Sequence, residues 1–135
     1  MLVSGGWDFK VQVWNMKTNS KLLEFSHDDV INCVKIVDKV IVSCADKTVR
    51  IWSLEQGQLL YKLQLADMCT SFDLNSDQTL MVVAHHKGVS IWNFSSMIKI
   101  TEIALDIVTD VRFNDHGTQL IVGQFHGQVS KTDLY

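Results

Sequence analysis

The sequence predicts an all-β fold built from repeated units, and three observations support that prediction. The first is internal repetition, because four segments align with one another, starting at Leu2, Val40, Leu80 and Gln119. The second is spacing: Trp14, Trp52 and Trp92 end the first three segments and lie 38 and 40 residues apart. A period of about 40–45 residues is typical of a unit of four β-strands. The third is that no window of ten or more residues carries a convincing helical stripe of apolar side chains.

Each repeat divides into strand-like runs that are separated by turn residues. The runs at residues 11–14, 49–52 and 89–92 alternate with the period of two that half-buried strands show. Inner strands are expected at residues 31–36, 70–74 and 108–113, and outer strands at residues 22–25, 59–63 and 98–103. Turn residues lie between these runs, at 15–20, 55–57, 75–77 and 114–117.

Composition and charge exclude several classes of function. The chain has 135 residues, 47% of them hydrophobic and 20% charged, which fits one compact globular domain. Its net charge is −3, and Arg50 and Arg112 are its two arginines, so a nucleic-acid partner is not expected. No apolar run approaches the roughly 18 residues that span a membrane, and the first residues lack the pattern of a secretory signal. We therefore expect an intracellular protein, cytoplasmic or nuclear, with no membrane partner.

The histidines and cysteines do not form a recognisable metal or redox motif. Adjacent residues of a strand point to opposite faces, so His85 and His86 are poorly placed to share a metal ion. No C-x-x-C or H-x-x-x-H spacing occurs in the sequence. Cys33, Cys44 and Cys69 lie among apolar residues and are expected to be buried free thiols. We expect no metal and no cofactor.

Two further motifs resemble catalytic elements without the context that catalysis needs. Ser26, His27 and Asp28 are the residue types of a hydrolase triad, but sequence neighbours cannot supply its geometry and no G-x-S-x-G elbow exists. Gly5 and Gly6 lead into a hairpin and not into a helix, so they are not expected to hold a phosphate group. No catalytic residues are assigned, and the chain is not expected to be an enzyme.

The repeats resemble those of the WD-repeat (WD40) family of β-propellers along essentially the whole chain. The best copy has His27 ahead of an inner strand and Asp46 in a hairpin turn, six residues before Trp52. The first copy keeps the same interval from Asp8 to Trp14. In that family a histidine, a hydroxyl, an aspartate and a tryptophan form a hydrogen-bonded chain that staples each four-stranded blade.

The resemblance implies that His27, Asp46 and Trp52 form such a staple here. Ser43 is the nearest candidate for the hydroxyl, although the register could place Cys44 there instead. Asp8, Trp14 and Trp92 are the corresponding residues that two other blades retain. The third and fourth copies carry His86 and His126 at the aspartate position, so blades without the full set are expected to depend on sheet packing alone.

Counting strands predicts a partial propeller of about four antiparallel blades, with the first and last incomplete. The blades are expected at residues 1–26, 27–65, 66–105 and 106–135, with 14 strands in all. A WD-repeat ring usually needs about seven blades, so the chain is expected to be a fragment, a truncated isoform or a piece completed by another chain. Another propeller segment or a second copy could cover its open edges.

The family resemblance also suggests where partners would dock. The hairpins between second and third strands open onto the upper rim of a propeller, and the residue before the turn aspartate is Trp7, His85 or Phe125 in three copies. Trp7, Phe9 and Phe125 are large aromatics in turns, which suits interface anchors, although they could pack between neighbouring blades instead. Asp28 and Asp29 are expected on the same side, where they would attract basic partners or form a plain solvated turn.

The resemblance therefore implies a non-catalytic scaffold that binds other proteins within a larger complex. A second possibility is a truncated polypeptide without independent activity. The sequence does not select a particular complex.

Overall fold

The computed structural model describes residues 1–134 as antiparallel β-sheets joined by turns. Tyr135, the last residue of the predicted fourth blade, lies outside the described residues. The strands are β1 (Leu2–Gly5), β2 (Lys10–Asn15), β3 (Ser20–Ser26), β4 (Ile31–Val37), β5 (Val40–Ala45), β6 (Thr48–Ser53), β7 (Leu59–Gln64), β8 (Cys69–Leu74), β9 (Leu80–His85), β10 (Gly88–Asn93), β11 (Ile98–Ala104), β12 (Val108–Phe113), β13 (Gln119–Gln124) and β14 (Val129–Asp133).

These strands form four sheets of three, four, four and three strands. Within each sheet, neighbours in sequence are neighbours in space, with the orders β1-β2-β3, β4-β5-β6-β7, β11-β10-β9-β8 and β12-β13-β14. No helix occurs within residues 1–134. The predicted all-β fold of antiparallel sheets is confirmed, with three strands in the first and last sheets and four in each of the other two.

The chain divides into two compact units, Met1–Leu65 and Ala66–Tyr135. The first unit holds the first two sheets, whose apolar side chains share one core. That core is built on Val11, Val13, Phe25, Ile31, Ile41, Ala45 and Trp52. Trp52 stacks on Phe25 with ring centroids 4.6 Å apart, so β6 of one sheet is packed against β3 of the other.

The second unit holds the third and fourth sheets around a core of its own. Its buried members are Val82, Ala84, Val89, Ile91, Val108, Val111, Leu120 and Val122. Polar groups also join the two inner strands: the Thr70 hydroxyl donates to the Val108 carbonyl at 2.8 Å, and the Ser71 hydroxyl donates to Asp110 at 2.6 Å. The central strands β9 and β10 are buried on both faces along most of their length, so the half-buried strand that the alternation at residues 89–92 predicts is not what the sheet contains.

A β-bulge recurs in three of the sheets, where β2 pairs with β3, β6 with β7 and β10 with β11. The pairing shifts beside Trp14, Trp52 and Trp92, and the extra residue is Leu22, Leu60 or Ile100. A bulge adds one unpaired residue and increases the local twist. Three repeats of this chain therefore share the same bulge as well as the same strands.

Candidate protein-interaction rim

Two loops of the first unit are joined by backbone hydrogen bonds at one end of its sheets. The β1–β2 hairpin carries Trp7 and Phe9, and the segment between β3 and β4 carries Asp28 and Asp29. His27 N donates to the Phe9 carbonyl at 2.8 Å, and Ile31 N donates to the Gly6 carbonyl at 3.2 Å. The four residues that the sequence placed on a rim therefore lie on adjacent loops, and we call this surface the rim of the first unit.

The aromatic side chains of the rim are exposed. The side chain of Trp7 is 88% exposed and that of Phe9 is 41% exposed, so the Trp7 indole is not packed between sheets. Phe9 also has a φ of 67°, in the left-handed region that bulky residues rarely adopt. Strained backbone of this kind is often found at functional sites, where the surrounding structure holds it in place.

Carboxylates outnumber cations beside these aromatics. Asp28, with a side chain that is 80% exposed, accepts a hydrogen bond from the buried Arg50 guanidinium at 2.7 Å. Arg50 also donates to the Ser26 carbonyl at 3.1 Å, so its position is fixed. Asp29 and Asp8 accept hydrogen bonds from the backbone N–H groups of Val30 and Lys10. Within residues 1–134, Arg50 is paired with Asp28 alone. Glu24 chiefly raises the pKa of Lys10, and Asp8 is close enough to the Lys10 ammonium to help raise it. Three carboxylates against two cations give the rim a modest acidic character.

Phe125 lies in the second unit and is considered there by itself. It is 68% exposed, in the turn between β13 and β14. Its ring contacts His126 edge to face at a centroid distance of 5.6 Å, and its backbone N–H donates to the Ile107 carbonyl at 2.9 Å. The backbone of this turn is therefore held in place while the phenyl ring remains accessible.

The structure corrects the expected place of His85. Its side chain is fully buried at the end of β9, so it cannot contact a partner on a surface. His85 Nδ1 accepts the Lys87 N–H at 3.2 Å, which leaves the ring proton on Nε2, 3.3 Å from a Glu102 carboxylate oxygen. Burial lowers the pKa of His85, against the opposing effect of Glu102. The apolar run of residues 81–84 could have predicted this burial, because His85 directly follows it on the same strand and all four residues are buried.

A buried hydrogen-bonded chain lies beneath the rim in the second sheet. The Trp52 indole N–H donates to the Ser43 hydroxyl at 2.9 Å, and that hydroxyl lies 2.6 Å from His27 Nε2. Strand pairing explains why the hydroxyl comes from Ser43 and not from Cys44. Ser43 shares a face of the sheet with Ile41, the residue paired with Trp52, whereas Cys44 points to the other face.

Asp46 does not join this chain, contrary to the expectation from the family resemblance. Within residues 1–134, His27 Nδ1 is buried and has no hydrogen-bond partner. Asp46 instead begins the two-residue turn between β5 and β6 with a φ of 50°. Aspartate is one of the few residues that accept this conformation readily, which accounts for its presence in the turn without a bond to His27.

Trp14 and Trp92, which the family resemblance implies as staple residues of two other sheets, are hydrogen-bonded as well. Trp14 donates to the Ser4 hydroxyl at 3.0 Å, and Ser4 occupies the position that Ser43 has in the second sheet. Trp92 donates at 3.0 Å to Ser90 of its own strand, because Val83 replaces the serine on the paired strand. The expectation that these sheets depend on packing alone is therefore wrong. Asp8, like Asp46, serves the hairpin turn, where it accepts the Lys10 N–H.

Three further features of the described residues concern metal ions, thiols and membranes. No group of three or more His, Cys, Asp or Glu residues within 1–134 is arranged to hold a metal ion. Cys33, Cys44 and Cys69 are not disulfide-bonded; Cys33 is partly buried and the other two are buried. Residues 1–134 contain no helix long and apolar enough to cross a membrane.

Comparison with known proteins identifies similar sequences. A family model described as "WD domain, G-beta repeat" matches residues 19–53, which contain His27, Ser43 and Trp52. The chain is 27% identical over 143 residues to small ribosomal subunit protein RACK1y of Oryza sativa subsp. japonica, covering 95% of this chain and 42% of the rice protein. It is 25% identical over 114 residues to small ribosomal subunit protein RACK1 of Drosophila melanogaster, covering 81% of this chain and 36% of the fly protein. The chain thus spans about two fifths of the length of these relatives.

Proposed function

We propose that this WD-repeat protein is a non-catalytic scaffold that binds other proteins through the rim of its first unit. The WD-repeat family, predicted from the sequence, is confirmed by the match at residues 19–53. The observation that carries the proposal is the 88% exposed indole of Trp7, held on a hydrogen-bonded loop beside acidic residues. Exposed tryptophans on rigid elements are frequent anchors of protein interfaces.

A catalytic role is disfavoured because the candidate groups are engaged in structural contacts. His27 is buried and faces Ser43, and the Ser43 hydroxyl accepts the Trp52 indole N–H. Asp28 is bound to Arg50 and points to solvent, so it does not orient a histidine. A nucleophile and base need mutual hydrogen-bonding geometry and access to substrate, and this buried chain offers no access.

The partner class follows from the charge of the rim. The rim holds the three carboxylates of Asp8, Asp28 and Asp29 against two cations, the Arg50 guanidinium and the Lys10 ammonium, so a basic segment is favoured over an acidic one. A lysine or arginine side chain could lie on the exposed Trp7 indole and gain a cation–π interaction of about 0.5–2 kcal/mol. We therefore expect the partner to present basic residues and to bind more weakly at high salt.

Quantitative affinity purification from cytoplasmic and nuclear extracts tests this proposal. Trp7→Ala and the pair Asp28→Asn with Asp29→Asn should each deplete the same set of partners, while thermal unfolding stays close to that of the parent. Tyr61→Ala is the matched control, because Tyr61 is 48% exposed on the outer strand β7 and should leave the set unchanged. An unchanged partner set in both rim variants would overturn the proposal and favour a polypeptide without activity of its own.

The relatives suggest a first partner to test. Both are named as proteins of the small ribosomal subunit, and the resemblance to the rice protein covers 95% of this chain. We propose that this chain also associates with that particle, through its basic proteins, because a net charge of −3 disfavours direct contact with RNA. Sedimentation with purified small subunits should carry the parent chain into the particle fraction and leave the Trp7→Ala chain behind. Parent chain that remains at the top of the gradient would exclude this partner.

A further inference from the structure

Two of the three cysteines face each other across adjacent strands of the second sheet. Cys33 of β4 is the register partner of Cys44 of β5. Directly opposed residues of antiparallel strands point to the same face of the sheet, so both thiols lie on one face. The third cysteine, Cys69, belongs to β8 of the second unit, where its register partner is His85. Within residues 1–134, the pairing of β4 with β5 is therefore the place where two thiols stand opposite each other.

The spacing of paired strands suits a disulfide bond at this position. The Cα atoms of directly opposed residues in antiparallel strands lie about 4.5–5.5 Å apart. Disulfides usually join residues whose Cα atoms are about 4.4–6.8 Å apart. The Cβ atoms of opposed residues lie about 4.5–5.5 Å apart, whereas a disulfide needs about 3.5–4.5 Å. The two Cβ atoms must therefore approach each other by about 1 Å when the bond forms.

An irregularity beside Cys33 makes this approach less costly. The pairing of β4 with β5 shifts between Ile31 and Cys33, and the extra residue, Asn32, is exposed. At a bulge the ladder of hydrogen bonds is locally interrupted and the strand is more strongly twisted. Adjustment of β4 at this point therefore disturbs fewer backbone hydrogen bonds than it would in the middle of a regular ladder.

The third and fourth sheets show that strand pairing does not require cysteines at these positions. A corresponding bulge lies between β8 and β9, and another lies between β12 and β13. The pairs that follow these bulges are Ser71 with Ala84 and Asp110 with Gly123. The opposed thiols are therefore a feature of the second sheet and not of the repeat.

We propose that Cys33 and Cys44 are a reversible redox site, which a low-molecular-weight disulfide oxidises to an intramolecular disulfide bond. The bond clamps β4 to β5 two residues after Ile31, whose N–H donates to the Gly6 carbonyl of the rim. Because its formation requires movement of the strands, this disulfide should be reduced more readily than an unstrained structural one. Its formation does not depend on a partner at the rim.

The different burial of the two cysteines sets the order of the reaction. Cys33 is partly exposed, whereas Cys44 is fully buried, so a small disulfide from solution meets Cys33 first. The Cys33 thiolate attacks one sulfur of that disulfide and releases a first small thiol. Cys44 then attacks the Cys33 sulfur, which forms the protein disulfide and releases a second small thiol. The two cysteines give up two protons and two electrons, and the small disulfide is reduced to two thiols.

The test treats the folded full chain with oxidised glutathione, then alkylates the remaining thiols and digests the chain with trypsin. Trypsin cuts after Lys35 and Lys39, so Cys33 and Cys44 fall in separate peptides. These two peptides should be recovered joined by a disulfide, from chain that migrates as a monomer on a non-reducing gel, and excess reduced glutathione should separate them. Alkylation of both thiols, or a lasting glutathione adduct on Cys33 without joined peptides, would overturn the proposal.

Matched alanine variants test the order of attack. Cys44→Ala should stop at a glutathione adduct on Cys33, and Cys33→Ala should leave Cys44 without an adduct because it is buried. Cys69→Ala is the control and should form the disulfide as fast as the parent does. Thermal unfolding of each variant shows whether it is folded under the reaction conditions. A disulfide that involves Cys69, or joined peptides that appear only after the parent is unfolded in urea, would contradict the proposal.

Discussion

The Trp52 indole and the Ser43 hydroxyl form a fully buried hydrogen bond of 2.9 Å that also involves a third group. The same hydroxyl lies 2.6 Å from His27 Nε2, so one serine links the loop before β4 to strands β5 and β6. In the third sheet the Ser90 hydroxyl accepts only the indole N–H of Trp92. A serine that serves two buried partners should contribute more to stability than a serine that serves one.

Removal of the Ser43 hydroxyl should therefore be more harmful than removal of the Ser90 hydroxyl. Ser43→Ala leaves both the Trp52 N–H and the His27 ring without a partner, and we expect a loss of about 2–3 kcal/mol in the free energy of unfolding. Ser90→Ala leaves one N–H without a partner and should cost about 1 kcal/mol. Urea denaturation followed by tryptophan fluorescence measures both. Equal losses would mean that the contact with His27 contributes nothing to stability.

Truncation of Trp52 should be the most damaging single change in the first unit. Trp52→Ala removes a buried ring stacked on Phe25 and also removes the N–H group that donates to the Ser43 hydroxyl. We expect the free energy of unfolding to fall by about 3–5 kcal/mol. His86→Ala is the comparison, because His86 is half-buried in a turn and should cost less than about 1 kcal/mol. Calorimetric midpoints of the two variants should differ widely, and similar midpoints would contradict the importance of the Trp52 contacts.

The repeat pattern was sufficient to predict the sheets, because the tryptophans mark the repeat and short apolar runs recur with the same period. The burial of the central strands could not be predicted in this way, since β6 and β10 alternate in sequence and yet are buried on both faces. Every predicted inner and outer run became a strand, and the sheets have the predicted three, four, four and three strands. The sequence left Ser43 and Cys44 open as the partner of Trp52, and the strand register of the folded chain decides for Ser43. The hydrophobic pattern is a local property of the chain, whereas strand register is set only when the strands pair.

Other features depend on contacts that the repeat alignment does not contain. Ser90 replaces the expected serine from its own strand, which is possible because residues two apart on a strand share a face. His85 was expected on the rim and is buried, since a neutral imidazole with Lys87 N–H and Glu102 as neighbours can be accommodated in the interior. The Trp92 indole N–H has a serine partner, as Trp14 and Trp52 do, although that serine comes from a different position of the repeat.

Asp46 offers a direct test of what its carboxylate does. Its φ of 50° and the lack of a bond to His27 indicate a turn residue. Asp46→Asn keeps the tolerance for this conformation and should change stability by less than about 0.5 kcal/mol, whereas Asp46→Ala should cost about 1 kcal/mol. Urea midpoints decide between the alternatives. A loss of about 2 kcal/mol or more in Asp46→Asn would mean that the carboxylate does pair with His27 in solution.

The stability of the chain should fall as pH is lowered, and His27 supplies part of that dependence. Burial, with a smaller effect from Arg50, lowers the pKa of His27 from 6.5 to about 4. The unfolded chain therefore binds a proton below about pH 6.5 while the folded chain does not until about pH 4. Stability is full above pH 6.5 and declines by about 3 kcal/mol as pH falls to 4.

His27→Gln, which cannot titrate, isolates this contribution. Between pH 7 and pH 5 the parent should lose about 2 kcal/mol more than the variant, as measured by urea midpoints in matched buffers. This window lies above pH 4.5, and therefore above the titration of Glu24, whose pKa is lowered to about 2 chiefly by its hydrogen bond to Lys21. Parallel pH profiles for the parent and the variant would show that the pKa of His27 is the same in the folded and the unfolded chain.

Gly88 should be the least replaceable glycine of the second unit. It begins β10 with a φ of 142°, and a Cβ at this position would overlap the carbonyl oxygen of Ile103 on the paired strand β11. The overlap is with backbone and cannot be relieved by a side-chain rotation, so Gly88→Ala should cost about 3 kcal/mol or more. Gly123→Ala is the control, because the nearest atom to its Cβ would be the Thr109 hydroxyl oxygen at 3.6 Å, an ordinary contact. That variant should lie within about 1 kcal/mol of the parent in urea denaturation. A tolerated Gly88→Ala would mean that β10 and β11 can separate at this pair without loss of the sheet.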